Sequence, residues 1–481
     1  MLNSSPIPKT YLFYDIETSG LDKCFDQVMQ FAAIRCDEAL NEIERHEFFV
    51  KLNPDTVPTP QAIITHRIGV SQVTDGLTEI EAIQKIHQLL NTPGTISLGY
   101  NTLGFDDEFL RFSFYRNLLP PYTHQYENQC CRMDLYPILV LYFLHCNQAL
   151  TWPNIHNKVS LKLEHINECN QLAPGLAHNA MVDVEATVAL ARKLKQHEKI
   201  WQYACGYFNK QTDAQRIQDL PTAYPHLDLQ LKEGLLIAGS LGHRHNYQAP
   251  VLSLGPHQHY KNQLLWLRLD DEKIPQITLD NTDDFFIIRK RLGEPPFLLP
   301  PYPRYVEKIA AERLEIVHRN KTWLGNNPKK LQILCDYHQH WKYPDVPNLD
   351  IDAALYQRSF ATTQDLYLLR QFHQVSPDKK WPLAERFPDV LYREQAMRVM
   401  MRNYPDYAEE ELRNYYWQYL QQACRQGAIY NYRNESHLTL SQALREIPSL
   451  QQSGTLDNHQ QQLLIELEIW LKKKQYFLEL K

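Results

Sequence analysis

The sequence predicts an α/β domain with a mixed sheet over residues 1–196, a small β-barrel over 197–350 and an all-α segment over 351–481. Three observations lead there. The first part alternates β-prone apolar runs with helical periodicity. The middle holds short apolar runs punctuated by Gly, Pro, Asn and Asp. The last part is poor in Gly and keeps helical spacing.

The opening element is Tyr11-Leu-Phe-Tyr-Asp-Ile-Glu-Thr18, an apolar run that carries Asp15 and Glu17. On a strand, side chains at i and i+2 share a face. The two carboxylates therefore project together. At about 5 Å and an effective dielectric of about 20, their repulsion is roughly 3 kcal/mol. A divalent cation removes it, and magnesium or manganese favours such oxygen ligands. A lone Asp-x-Glu is more often a strand end with solvated acids; its company later in the chain changes the reading.

After a turn at Thr18–Asp22, Gln30–Arg35 and Glu47–Leu52 read as strands, giving an antiparallel meander. Pro60–Thr65 and Thr78–Leu90 read as helices, and Thr78 with Glu81 forms a capping box. Thr95–Tyr100 is a fourth strand. It runs into Asn101-Thr-Leu-Gly-Phe-Asp-Asp-Glu108 and a helix from about Glu108 to Asn117, for which Asp107 is the expected N-cap. Cys131–Leu135 opens an apolar helix, and Leu161–Ile166 begins one that ends near Asn170. In Ala177–Ala191, His178 and Asp183 precede Val184, Val188 and Ala191 at helical spacing.

In the middle segment, 235–238, 249–254, 263–269 and 285–288 read as strands, and Pro295, Pro296, Pro300, Pro301 and Pro303 as a loop or brace. Beyond 351 the clearest helices are 396–401, 409–425 and 459–477.

The net charge of −6 excludes a broadly basic nucleic-acid binder, so a polyanion site must be a local patch. Candidates are Arg192-Lys193-Lys195, Arg289-Lys290-Arg291, Lys329-Lys330 and Lys472-Lys473-Lys474. The nine cysteines are odd in number and lack a C-x-x-C, which argues for a reducing compartment and against a zinc ribbon or disulfide frame. No basic stretch followed by an apolar one opens the chain. Its most apolar run, Leu135–Leu144, is interrupted by Pro137. No membrane span and a cytoplasmic location are expected.

Asp15 and Glu17, Asp106 five residues after Asn101, and His178 five before Asp183 stand in the order Asp-x-Glu, Asn-x4-Asp, His-x4-Asp. This set resembles the DEDDh class of DnaQ-like 3′→5′ exonucleases. The stretches Gln30-Phe-Ala-Ala-Ile-Arg35, Gly99-Tyr-Asn101, Phe114-Tyr-Arg-Asn117, Trp152-Pro153, Leu163-Glu-His165 and His178-Asn-Ala-Met-Val-Asp183 are similar to the bacterial exonuclease I family.

The resemblance implies an RNase H-like exonuclease domain, an SH3-like barrel and a helical C-terminal domain. It implies two Mg²⁺ ions, with Mn²⁺ as substitute, held by Asp15, Glu17, Asp106 and Asp183. Asp107 could replace Asp106 on chemistry alone; the motif spacing selects Asp106. His178 is the implied general base, its ordinary pKa near 6.5 suiting the task. Lys162, Arg111, Tyr122 and Tyr126 match positions along the single-strand path, with Glu17 also facing substrate. The family has arginine where Lys162 stands, tryptophan at Tyr126, and a further arginine at Val140.

The implied activity is 3′→5′ degradation of single-stranded DNA to 5′-mononucleotides in repair or recombination, by a monomer. The acidic C-terminal tail of single-stranded-DNA-binding protein is an implied partner. An RNA 3′→5′ exonuclease and a catalytically silent DNA-binding scaffold are the competing readings.

Overall fold

A computed structural model describes residues 8–175, 179–225, 227 and 230–479. The chain gathers into two compact units. One combines the chain up to Arg132, the stretch bounded by Ala173 and Val188, and everything from Asp345 on. The other combines Met133–Leu172 with Ala189–Pro344. The helical last third thus belongs to the same unit as the N-terminal sheet.

That first unit is built on a five-stranded sheet of order β3-β2-β1-β4-β5. Its strands are β1 (Thr10–Thr18), β2 (Val28–Cys36), β3 (Glu42–Phe49), β4 (Thr95–Leu98) and β5 (Cys131–Arg132). The first three form the expected antiparallel meander, with Asp15 opposite Ala32 and Glu17 opposite Gln30. β4 joins β1 in parallel, pairing Leu98 with Phe13. β1 is therefore central, and β2 is buried along its whole length.

The Glu79–Leu90 and Asp106–Arg116 helices cover the sheet. Ile83, Ile86, Phe109 and Phe114 share one core with Leu12, Tyr14 and Phe31. The Thr78–Glu81 capping box forms as expected. Cys131 corrects one expectation: it pairs with Ile96 as a strand at the sheet edge. The apolar helix starts only at Leu135, where Asp134 accepts from the Tyr136 amide.

The C-terminal helices Val390–Asn403, Glu410–Leu420 and Asn458–Glu479 complete this unit. Their contact with the N-terminal segment is apolar, with Leu463, Leu464 and Leu467 beside Ile63, Ile64 and Ile68. It also contains buried charge. Arg402 donates to Asp55 through Nε at 2.9 Å and to Asp55 and Asp352 through one terminal nitrogen at 2.6 Å each. Arg398 holds Asp350 at 2.7 Å and Asp352 at 3.0 Å.

The second unit carries a five-stranded antiparallel sheet. Its strands in spatial order are Ile287–Arg291, Gln263–Arg268, Gln248–Pro256, Glu233–Ile237 and Phe297–Leu299. Four were expected. The fifth lies inside the proline cluster, where flanking prolines hide a three-residue edge strand that pairs with Leu235–Ile237. Lys290 is also corrected: it is fully buried and bonds Asp213 at 2.6 Å, so it supplies no charge to a surface groove. Among the described residues no helix is long and apolar enough to cross a membrane.

Candidate active site

Asp15, Glu17 and Asp183 converge. Each is partly buried, and one carboxylate oxygen from each lies within 4.8 Å of the others. Asp15 and Glu17 share a face of β1, as the i, i+2 spacing requires. Asp183 comes from the first turn of the Ala180–Lys195 helix. Asn179 Oδ1 accepts from the Met181 and Val182 amides, the bonds of an N-cap. The Ala180 amide donates to Gln30 Oε1 at 3.4 Å, and Arg45 on β3 pairs with Glu185. These bonds tie the helix to the sheet beside Glu17's own register partner.

Asp106 comes from a separate helix, and its charge acts on both Asp15 and Glu17. It is buried in the first turn of the Asp106–Arg116 helix. The loop leading to it passes tightly against β1: a Cβ on Gly99 would lie 2.5 Å from the Tyr14 carbonyl oxygen. Asn101 adopts φ 65°, the left-handed conformation that asparagine tolerates well.

Burial, then the charges of Asp106, Glu17 and Asp183, hold the Asp15 carboxyl well above the ordinary range. Burial, then Asp183 and Asp106, do the same to Glu17. Mutual repulsion of closely spaced hard oxygens is the signature of a site completed by a divalent cation, and the donor set fits one.

A family model described as exonuclease matches residues 12–191, and one described as exonuclease I C-terminal domain matches 349–474. Exodeoxyribonuclease I of Escherichia coli is 26% identical over 437 residues, covering 85% of this chain and 90% of that protein. The chain is similar to exonuclease I over most of its length.

Solved exonuclease I structures agree in fold. The E. coli enzyme in complex with a dA16 oligonucleotide matches with a TM-score of 0.85 at 23% identity, over 97% of this chain and all of that one. A zinc-bound form of the E. coli enzyme with single-stranded DNA matches at 0.84 and 23% identity, over 97% and 99% of the two chains.

Within the exonuclease I framework, Asp107 is not the N-cap expected of it. It is buried beside Arg132, His124 at 3.0 Å and Arg111 at 3.2 Å. Burial opposes its charge, but Arg132, then His124 and Arg111, hold its carboxyl well below the ordinary range. Arg111 is itself buried in this pairing, with its guanidinium 5.9 Å from the Tyr122 ring. Tyr122 is half-buried and also meets Phe360 at 6.3 Å. Tyr126 is exposed. In the other unit, Lys162 is exposed and lies 3.3 Å from Glu164. His178 lies outside the described residues.

Sequence reading missed Asp26. Ser19 Oγ and the Asp22 amide each donate to its carboxylate at 2.8 Å, clamping the turn that follows Glu17. A Cβ on Gly20 would lie 2.3 Å from that carboxylate. Only the fold brings these groups together; an aspartate four residues downstream of a turn carries no signal by itself.

Burial pushes Asp26 up to about 7, while the Ser19 bond pulls the other way. Its folded pKa exceeds the unfolded one, so this group weakens folding as pH rises from about 4 to about 7. Asp26→Asn should therefore gain melting temperature relative to wild type across that window, measured in EDTA. A pH-independent difference would place the carboxylate in water.

Proposed function

We propose that this chain is a 3′→5′ exonuclease that degrades single-stranded DNA to 5′-mononucleotides, in DNA repair or recombination. The observation that carries the reading is the convergence of Asp15, Glu17 and Asp183 beside Asp106. Asp15, Glu17 and Asp183 would hold one Mg²⁺, and Asp15 with Asp106 a second; Mn²⁺ suits the same donors. When bound, the two ions neutralise charge on the reacting phosphate and on the leaving 3′-oxygen.

The chain's own residues do the rest. His178 takes the proton from the attacking water. Glu17 faces the terminal nucleotide, and Lys162, Arg111, Tyr122 and Tyr126 line the strand's path, the tyrosines through stacking that reads no sequence. The division at 196 and 350 is part of this reading and is supported by family models that span 12–191 and 349–474; an SH3-like barrel between them belongs to it by resemblance. So do a monomeric state and docking of the acidic tail of single-stranded-DNA-binding protein, both by resemblance.

The test uses 5′-labelled single-stranded DNA, matched RNA and duplex, with Mg²⁺ or EDTA. Shortening from the 3′ end, on single-stranded DNA and with Mg²⁺ only, is expected. Preference for RNA, or binding without cleavage, overturns the reading. His178→Ala should lower turnover at least about 10²-fold and leave DNA affinity nearly intact. Equal loss of both would make His178 structural.

A further inference from the structure

The functional reading uses Asp106 but not Asp107, its neighbour on the Asp106–Arg116 helix. Asp107 is 1% exposed, and both of its oxygens are engaged. Oδ1 accepts from His124 Nε2 at 3.0 Å. Oδ2 accepts from Arg132 and lies 3.2 Å from Arg111 Nε. His124 is buried, and burial lowers its pKa, so the ring is neutral near pH 7 with its proton on Nε2. The Phe114 ring packs against it at 5.7 Å. Asp107 is thus fixed by β5 and by the loop that precedes it.

Arg111, one helical turn further along, is held at one end only. Its Nε faces the Asp107 carboxylate and donates to the Asp107 carbonyl at 3.4 Å. Among the described residues its two terminal nitrogens have no hydrogen-bond partner. Glu108, on the same turn, is taken by Lys23 and by the Tyr356 hydroxyl. Yet Arg111 is only 8% exposed. A guanidinium this far buried favours an anion over water at its open edge. Two parallel N–H groups there match two oxygens of a phosphate.

We propose that Asp107, braced by Arg132 and His124, is a positioning residue for the exonuclease: it holds Arg111 by Nε so that the open edge of the guanidinium takes one backbone phosphate of the bound strand. This role rests on the functional reading above and names one part of its strand binding. Arg132 and His124 already satisfy both Asp107 oxygens, so Arg111 is not needed to complete the cluster. Asp106 and Arg111 stand on one helix, about 7.5 Å apart along its axis. The phosphate is therefore one of the last few before the 3′ end. A single helix carries a metal ligand and a phosphate clamp, and the grip on Asp107 sets the clamp's aim. Freezing the arginine during folding removes that entropy cost from strand binding.

The test measures binding of the full chain to 5′-fluorescein oligothymidylates by anisotropy in EDTA. Each strand carries one neutral methylphosphonate linkage, moved stepwise upstream from the 3′ end. In the wild type, neutralising one particular linkage should raise Kd about ten-fold. Arg111→Ala and Asp107→Asn should each raise Kd for the unmodified strand by about the same factor and make that linkage indifferent. The double variant Asp107→Asn/Arg111→Ala should bind like Arg111→Ala alone, because Asp107 acts through Arg111. With Mg²⁺, the loss in Asp107→Asn should fall on KM rather than kcat. His124→Phe keeps a ring against Phe114 and frees one Asp107 oxygen; it is the milder variant should Asp107→Asn not fold, and should raise Kd about three-fold with the linkage profile flattened in proportion. Losses that multiply in the double variant, a linkage that still matters in Asp107→Asn, or a wild-type profile in His124→Phe each overturn the proposal. Absence of hydrolysis by the wild type sinks the functional reading instead, since the Kd profile is read without turnover.

Discussion

Asp15→Asn is expected to lower the exonuclease rate by at least about 10³-fold, the equivalent of about 4 kcal/mol of transition-state stabilisation. It should at the same time raise the melting temperature of the metal-free protein. The two effects share one cause. Asp15 sits on the central strand with Glu17 and Asp183 in reach of its oxygens, and Asp106 adds a fourth negative charge. Without a cation these carboxylates repel one another in a partly desolvated site. Removing one charge relieves the fold and dismantles the ligand set. Mg²⁺ should raise the melting temperature of wild type, by about 2.7 kcal/mol of stabilisation at a hundred-fold excess over its Kd. The same addition should leave Asp15→Asn nearly unmoved. Calorimetry with and without Mg²⁺, beside a single-turnover assay, checks all of this. A variant that is inactive and also less stable without metal would mean that Asp15 braces the strand rather than binding the ion.

Local chemistry made much of this site legible. The i, i+2 spacing of Asp15 and Glu17 fixes their common face once β1 is a strand. The Thr78–Glu81 capping box marks a helix start from four residues. What failed was long-range. Asp107 looked like an N-cap because aspartate usually is one, yet Arg132 and His124, brought in from the sheet edge and the following loop, bury it as the centre of an ion cluster. Lys290 reads as part of a surface cluster because it stands between two arginines; alternation along an edge strand points it inward, to Asp213. Phe297–Leu299 was hidden by prolines that a central strand would not accept but an edge strand does. The union of the helical last third with the N-terminal sheet is written in contacts such as Asp55 to Arg402, 347 residues apart, for which no local pattern exists.

That last contact gives the second large effect. Arg402→Met is expected to destabilise the protein by about 3–5 kcal/mol, because it leaves Asp55 and Asp352 buried without their shared cation. Burial opposes the charge of Asp55, and Arg402 is the largest influence holding its carboxyl well below the ordinary range; Tyr416 Oη adds a bond at 3.0 Å. A depressed folded pKa contributes stability above the unfolded value near 4, and that stability is lost as pH falls below it. Without Arg402 this contribution disappears. The gap between variant and wild type should therefore be widest near neutral pH and close as the carboxylates protonate. Adding Asp55→Asn to Arg402→Met should recover part of the loss, since the uncompensated charge rather than the missing side chain dominates it. Urea denaturation at pH 7 and near pH 4 measures both terms. A loss below about 1 kcal/mol, the level of an exposed ion pair, would mean that water reaches Asp55 and that the apolar contacts of the Asn458–Glu479 helix with Ile63, Ile64 and Ile68 hold the C-terminal third in place by themselves.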